Sequence, residues 1–231
     1  MRPQTQSFHS SSREPFMKYP TIVVHGFLAT SLTNLPIHVA LRLRGFKTFN
    51  VPLPGLNTQI IDDAARILSQ KVEEVIRDTQ AEKVNLVGVS KGGIIVLNYL
   101  HLLSQQESVS LEMIHKAVTV GSPLHGTFAV KMLKGLPGFG KRAQELAPES
   151  EFMNQLHGSS RPDSISSKVT CIYTDGDVLS NQKNATLPEA KQIRAPVGLW
   201  PVGHYQLVLD PRNLGVLAAE LQIGQSDFRN V

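Results

Sequence analysis

The segment 88–92 reads Gly-Val-Ser-Lys-Gly, and its central residue, Ser90, is the first candidate for chemistry. An apolar segment at 83–87 precedes it and another at 94–97 follows it, which predicts a strand, a sharp turn and a helix. A serine in such a turn has a strained backbone, and side chains two residues before and after it would collide. Glycine meets that requirement at both positions. The pattern indicates a nucleophilic serine, although an ordinary glycine-rich turn can have the same short sequence.

A nucleophilic serine needs a base and an acid that orients the base. In proteins with this turn, the three follow in the order Ser, Asp or Glu, His. The apolar segment 169–173 predicts a buried strand that ends in Thr174-Asp175-Gly176-Asp177. We expect Asp177 to be the orienting acid, because Gly176 permits a tight turn at the strand end. Asp175 is the alternative.

Among the eight histidines, His204 has the place in chain order that the base requires. It is predicted to lie on a loop just before a terminal helix, whose N-cap is Asp210 and whose first residue is Pro211. His25 closes the first predicted strand, and we expect it to brace its loop by hydrogen bonding. The others are expected in partly buried structural positions (His38, His101, His115 and His125) or in polar, flexible stretches (His9 and His157).

Backbone N–H groups can stabilise the negative charge that develops when a serine attacks a carbonyl carbon. The expected donors are the amide of Lys91, directly after the serine, and the amide of Phe27, in the loop after the first core strand. Since both donors are main-chain groups, the side chains at these positions are nearly unconstrained. We expect the Lys91 side chain to face solvent. The alternative is that its charge attracts anionic substrates to the mouth of the pocket.

Four segments in this order resemble those of α/β-hydrolases, and within that superfamily the chain is similar to bacterial lipases and esterases of the triacylglycerol-lipase type. They are His25-Gly26, the segment 88–92, the turn 121–127 (Gly-Ser-Pro-Leu-His-Gly-Thr), and the pair Asp177 and His204. The segment 145–152 also resembles the lead-in from cap to core in such lipases. The resemblance covers roughly residues 18–223.

The resemblance implies Ser90 as nucleophile, His204 as base, Asp177 as orienting acid, and Phe27 with Lys91 as oxyanion donors. One residue departs from the family pattern, because lysine follows the nucleophile where histidine, glutamine or methionine is more familiar. The departure concerns the substrate more than the mechanism. No metal ion or organic cofactor is expected.

Composition agrees with one compact enzyme domain, since 231 residues with 41% hydrophobic and 18% charged residues can bury a full core. The net charge of +4 is spread along the chain without basic runs, so a nucleic-acid partner is not expected. The single cysteine, Cys171, lies in an apolar segment, which excludes a disulfide within the chain and a thiolate zinc site.

No segment of about 18 apolar residues is present, so no transmembrane segment is expected. Residues 1–17 are polar and are predicted to be a disordered tail, followed by an α/β-hydrolase domain at 18–231. The tail has no apolar core of a secretory signal. We therefore expect a cytoplasmic protein, or a secreted one if a leader was removed.

Helices and strands are predicted to alternate, as a mostly parallel sheet of about six strands flanked by helices requires. This is a minimal version of the α/β-hydrolase fold without the first two antiparallel strands of larger members. The predicted strands lie near 20–25, 46–51, 83–88, 114–120, 168–173 and 192–200, and the helices near 35–44, 58–78, 91–105 and 211–222.

The longest connection without a predicted element runs from about 126 to 167, and its position in this fold is above the serine. It mixes apolar residues with lysines, as an amphipathic element would. We expect a small cap in which residues 128–145 cover Ser90. The cap is either fixed or a mobile lid.

The expected activity is hydrolysis of carboxylic esters with apolar acyl groups, through an acyl-serine intermediate. The substrate would be a small-molecule or lipid ester, with transient contact to a lipid interface. Acyl transfer or thioester cleavage by the same three residues is an alternative. A non-catalytic scaffold on the same fold is another.

Overall fold

The computed structural model describes residues 18–105, 111–133, 143–158, 163–177, 179–196 and 203–225. Six strands lie in these ranges: β1 (Thr21–Val24), β2 (Thr48–Asn50), β3 (Val84–Val89), β4 (Ile114–Val120), β5 (Val169–Tyr173) and β6 (Lys191–Arg194). They form one sheet in the order β2-β1-β3-β4-β5-β6, and all five neighbouring pairs are parallel. The predicted parallel sheet of about six strands is confirmed.

Four longer helices agree with the prediction to within a few residues: α1 (Leu35–Arg42), α2 (Ile61–Thr79), α3 (Lys91–Ser104) and α8 (Pro211–Gln222). Four shorter ones were not predicted: α4 (Glu151–Gly158), α5 (Asp163–Ser166), α6 (Gln182–Ala185) and α7 (Gly203–Leu209). These helices have eight residues or fewer, so they are too short for an apolar stripe to reveal them. Within the described ranges, no helix is both long and apolar enough to cross a bilayer.

Each face of the sheet is covered by helices, and the strands alternate between two apolar cores. Ile22 and Val24 of β1 point into the core with α2 and α3, whereas Val23 points into the core with α1, α7 and α8. The central strands are therefore buried on both faces, as parallel sheets require. Cys171 lies in β5 and is fully buried, as predicted.

The carboxyl ends of all six strands lie at one edge of the sheet, because all strands are parallel. Ligands in open α/β sheets bind at that edge. The connection from β4 to β5 also begins there, and it contains α4, α5 and a 3₁₀ helix at Phe128–Leu133. Residues 134–142 and 159–162 of the predicted cap lie outside the described residues, as does the predicted tail 1–17.

Candidate active site

Ser90 lies between the end of β3 and the start of α3, at the turn that the sequence predicts. Its φ of 54° and ψ of −124° fall in a region that non-glycine residues rarely adopt. The Ser90 amide donates to the carbonyl of Val120 at 3.0 Å, which fastens the turn to the end of β4. Strain of this kind is typical of functional residues that the surrounding structure holds in place.

The glycines around Ser90 allow close backbone packing. A Cβ atom at Gly88 would overlap the backbone of Gly93, and one at Gly92 would overlap the carbonyl of Val24. The prediction that both positions must be glycine is confirmed. Gly93 was not predicted to matter, yet a Cβ there would overlap the Ser122 side chain.

Asp177 and His204 are joined by a hydrogen bond of 2.7 Å from His204 Nδ1 to Asp177 Oδ2. An ionised carboxylate only accepts, so Nδ1 carries the proton and Nε2 of the neutral ring has the lone pair. The carboxylate is 1% exposed and also accepts from the amides of Leu179 (2.9 Å) and Ser180 (3.1 Å) and from the Ser180 hydroxyl (2.5 Å). Four donors thus fix the carboxylate.

The Asp177 carboxyl stays ionised in this setting. Burial alone would raise its pKa, but the hydrogen bond and charge of His204, with the bonds from Ser180 and Leu179, bring the pKa below its ordinary value. Asp177 is therefore a permanent acceptor for His204.

Asp175 has different surroundings from Asp177, although only one residue separates them. It is exposed and forms an ion pair with the guanidinium of Arg194 on β6. The described contacts thus bring Asp177, and not Asp175, to His204.

His204 is the second residue of α7, so the prediction that it lies on a loop was wrong. Gly203 packs so closely on Gly176 that a Cβ would overlap the Gly176 backbone. On the other side, a Cβ at Gly121 would lie 3.3 Å from Asp177 Oδ2 and 3.5 Å from His204 Nδ1. Gly121 directly follows Val120, whose carbonyl accepts the hydrogen bond from the Ser90 amide. The His204–Asp177 pair and Ser90 therefore lie beside the same end of β4.

The loop after β1 lies against Ser90, where the second oxyanion donor was expected. A Cβ at Gly26 would lie 2.9 Å from Ser90 Cβ and 3.5 Å from its Oγ, so glycine is needed for this approach. Phe27 follows Gly26 directly. Lys91 is the first residue of α3, and amides in the first turn of a helix have no partner within the helix. Both expected donors therefore belong to segments that border Ser90.

The side chain of Lys91 is 1% exposed, so the prediction that it faces solvent was wrong. Its Nζ donates to the backbone carbonyls of Asn57 (2.9 Å) and Gln59 (2.6 Å). These residues belong to the loop between β2 and α2, which folds over the start of α3. The burial arises from a contact between residues more than 30 positions apart, which local sequence does not reveal.

Two other histidine predictions have clear outcomes. His25 is 2% exposed, and its Nδ1 lies 3.1 Å from the carbonyl of Gly26, so its bracing role is confirmed. His157 was expected in a flexible stretch but lies on α4, where its ring stacks on His125 at 4.4 Å and its Nε2 lies 2.7 Å from the carbonyl of Leu124. His9 lies outside the described residues. Among the residues that are described, no group of three or more His, Cys, Asp or Glu side chains could hold a metal ion.

No protein-family model and no curated protein matches this sequence. The folded chain is similar to solved structures, among them a mature lipase of Bacillus licheniformis, BlEst2. The match has a TM-score of 0.73 and 19% sequence identity, and it covers 89% of this chain and 92% of the lipase.

Two further solved structures resemble the chain over similar lengths. An α/β-hydrolase from a sediment metagenome of the Mar Chica lagoon, Morocco, has a TM-score of 0.59 and 18% identity, covering 88% of this chain and 90% of that one. Naproxen esterase from Bacillus subtilis has a TM-score of 0.53 and 15% identity, with 87% and 84% covered. Together with the parallel sheet, these similarities show that the chain has the α/β-hydrolase fold.

Proposed function

We propose that this protein hydrolyses carboxylic esters with apolar acyl groups through an acyl-serine intermediate. Ser90 is the nucleophile, His204 the general base and Asp177 the acid that orients it. The observation that carries the proposal is the 2.7 Å hydrogen bond between buried Asp177 and His204, beside the strained turn that bears Ser90. The similarity to solved structures named as lipases and esterases supports the same reaction class.

In the first half of the reaction, the Ser90 oxygen bonds to the ester carbonyl carbon while His204 Nε2 takes the hydroxyl proton. The Asp177 carboxylate stabilises the imidazolium that forms, because it accepts from Nδ1. The amides of Phe27 and Lys91 donate to the oxyanion of the tetrahedral intermediate. The bond to the alcohol oxygen then breaks, and His204 returns the proton to the departing alcohol.

Water completes the cycle. It attacks the acyl carbon, gives its proton to His204 Nε2, and forms a second tetrahedral intermediate at the same two amides. When this intermediate collapses, the Ser90 oxygen leaves and recovers a proton from His204, and the carboxylic acid is released. The charges and protons balance without a metal ion or a cofactor.

Exposed apolar side chains support an apolar substrate. Leu28, Leu56, Ile60, Phe128 and Tyr205 are 39–62% exposed, and each lies in a segment that follows the carboxyl end of a strand. Ser90 follows the carboxyl end of β3, so these side chains belong to segments that leave the same edge of the sheet. We expect them to receive the acyl chain or to make transient contact with a lipid interface.

Rates on p-nitrophenyl esters of increasing acyl length, with labelling by a fluorophosphonate, test the proposal. We expect labelling of the wild-type protein but not of Ser90→Ala, and hydrolysis that rises with acyl length before it levels off. Labelling with transfer to an added alcohol in place of water would favour an acyltransferase, and faster cleavage of the matched thioesters would favour a thioesterase. Absence of both labelling and turnover would leave a non-catalytic scaffold.

The cap is tested with a long-chain ester across the concentration at which it forms micelles. A fixed cap gives simple saturation, whereas a mobile lid gives a steep rise in rate at that concentration. Phe128 is 60% exposed, and Phe128→Ser should lower rates on long-chain esters more than on short ones. An unchanged dependence on chain length would show that this residue does not line the site. Most of the remaining segment to 145 lies outside the described residues.

A further inference from the structure

The Lys91 side chain connects the loop 55–60 to the oxyanion segments. Its ammonium donates to the carbonyls of Asn57 and Gln59, and so binds this loop to the first residue of α3. Asn57, in turn, donates from Nδ2 to the carbonyl of His25 at 2.6 Å. The chain of contacts therefore runs from Lys91, which bears one expected oxyanion donor, to the segment that bears the other.

The loop residue in the middle of this chain is rigidly held. Asn57 is fully buried and has a φ of 58°, a left-handed conformation that asparagine tolerates better than most residues. Leu56 before it has a φ of 57°. Two successive residues in this region need support from the surrounding structure, and the bond from Lys91 to the Asn57 carbonyl contributes to it, together with the bond from the Asn57 amide to the Pro54 carbonyl at 3.1 Å.

The Lys91 ammonium also faces Phe27 directly. Its Nζ lies 5.5 Å from the centre of the Phe27 ring, within the range of a cation–π contact. The side chain of Lys91, which bears one expected oxyanion donor, thus contacts the side chain of Phe27, which bears the other. A displacement of the ammonium would reach the Phe27 segment by two routes, through the ring and through Asn57.

Charge effects on the neighbouring residues agree with this placement. Burial lowers the pKa of His25, the bond to the Gly26 carbonyl opposes this, and the positive charge of Lys91 lowers the pKa further. Burial raises the pKa of Glu145, while its bond from the Ile61 amide and the charge of Lys91 act in the opposite direction. Glu145 binds that amide at 2.9 Å, so the far end of the same loop is held as well.

We propose that the Lys91 side chain is a positioning residue for catalysis, which fixes the two oxyanion donors relative to each other through the loop 55–60 and Phe27. The proposal rests on the proposed ester hydrolysis and extends it. The lysine after the nucleophile, which departs from the family pattern, then has a role in the transition state and none in attracting substrate. Its backbone amide binds the oxyanion, and its side chain sets the geometry of the partner amide.

The test compares Lys91→Met, which keeps an unbranched side chain one atom shorter but removes the donors and the charge, with the wild-type protein. We expect kcat to fall by about 10- to 100-fold, somewhat less than for removal of an oxyanion donor, while KM changes by no more than about twofold. The rate of fluorophosphonate labelling should fall by a similar factor, because the phosphonyl oxygen accepts hydrogen bonds from the same two amides.

Asn57→Gly removes the second link and suits the positive φ of that position. It should lower kcat in the same way, and the double variant should lose less than the product of the two single effects. The matched control is Lys168→Met. Lys168 is a partly buried lysine that also donates to a backbone carbonyl, that of Ile114 at 2.9 Å, but at the amino end of the sheet. We expect it to lower the Tm and leave kcat unchanged.

A Lys91→Met protein with a lower Tm but the wild-type kcat per labelled site would overturn the proposal, since Lys91 would then be purely structural. If this variant does not fold, the kcat of Asn57→Gly decides, and a wild-type value there overturns it equally. Failure of the proposed function is distinct, because the wild-type protein itself would then neither be labelled nor hydrolyse esters.

Discussion

Two buried charges lie at opposite ends of the sheet, and they are held in different ways. Lys91, at the carboxyl end, is 1% exposed and donates to backbone carbonyls of a loop. Glu220, on α8 at the amino end, is 2% exposed and accepts from Lys116 (2.6 Å), Lys191 (2.5 Å) and Thr170 (3.0 Å). These three partners lie at the amino ends of β4, β5 and β6.

The comparison separates a charge that orders a loop from a charge that joins strands to a helix. Burial would raise the pKa of Glu220, but the bonds from Lys116, Lys191 and Thr170 bring it below the ordinary value. The carboxylate is therefore ionised and held by opposite charges on rigid strands, far from the reacting atoms. We expect changes at the carboxyl end to alter rates and changes at the amino end to alter stability.

The largest effect is expected for Ser90→Ala, which should lower turnover by about a million-fold if this site behaves like the serine protease in which such losses are known. The fold should be unharmed, because the turn depends on Gly88 and Gly92. Steady-state hydrolysis and thermal unfolding measure the two quantities. A folded Ser90→Ala protein with a near wild-type rate would contradict the proposed mechanism. It would also contradict the expectation that changes at the carboxyl end of the sheet alter rates.

Asp177→Asn should lower the rate by roughly four orders of magnitude, because an amide favours the wrong tautomer of His204. Asp175→Asn is the matched control. Its carboxylate is exposed and pairs with Arg194, so we expect little change in rate. Steady-state kinetics with the same ester decide between them. The reverse ranking would transfer the orienting role to Asp175.

Glu220→Gln should lower the free energy of unfolding by about 3 kcal/mol, because Lys116 then loses the partner of a largely buried ion pair. We expect kcat to stay at the wild-type value. Glu112→Gln serves as the control, since Glu112 is exposed and lies 3.9 Å from Lys83, and such a pair contributes at most about 1 kcal/mol. Urea unfolding measures all three proteins. A fall in kcat without loss of stability would contradict the division between the two ends.

The smallest effect concerns His115, also at the amino end. Burial, together with the charges of Lys116 and Lys83, lowers its pKa to about 4. Below a pH of about 6.5, the His115 ring binds a proton in the unfolded chain, whereas the folded state disfavours that proton. The stability that the neutral ring contributes is present above that pH and is lost as the pH falls toward 4.

Urea unfolding at about pH 7 and about pH 5 tests this expectation, since the unfolded-state pKa lies between them. The free energy of unfolding should fall less over this interval in His115→Gln than in the wild-type protein. The bond from His115 Nδ1 to Asn85 Oδ1 at 2.9 Å is one that glutamine can replace in part. An identical pH dependence in both proteins would show that His115 does not cause it.

Regular elements with clear boundary signals could be predicted from the sequence. The bounds of β4 and α8 agree with the prediction, and Asp210 caps α8 by accepting from the Arg212 amide, as expected. The turn at Ser90 and its glycines follow from one pentapeptide because their requirements are local. The bonds that Asp177 accepts from the amides of Leu179 and Ser180 could also have been predicted, because an aspartate often accepts from backbone amides two and three residues later.

The features that were missed depend on contacts between distant segments. The burial of Lys91 requires the loop 55–60 to close over α3. That loop contains two residues in the left-handed conformation, and its sequence does not predict where it packs. The helical position of His204 depends on α7, a helix of seven residues next to residues outside the described ranges. Neither feature has a periodic pattern that sequence analysis could detect.

The strand order has a consequence for the growing chain. Thr21 of β1 pairs with Thr48 of β2 and with Asn85 of β3, and 64 positions separate Thr21 from Asn85. At a synthesis rate of about 5–20 residues per second, β3 emerges about 3 to 13 seconds after β1. During this interval, β2 is the one native neighbour that β1 can pair with, and the other edge of β1 is open to strands of neighbouring nascent chains. Substitutions that slow the docking of β3 should therefore reduce the yield of folded protein through aggregation, even where the equilibrium stability is unchanged.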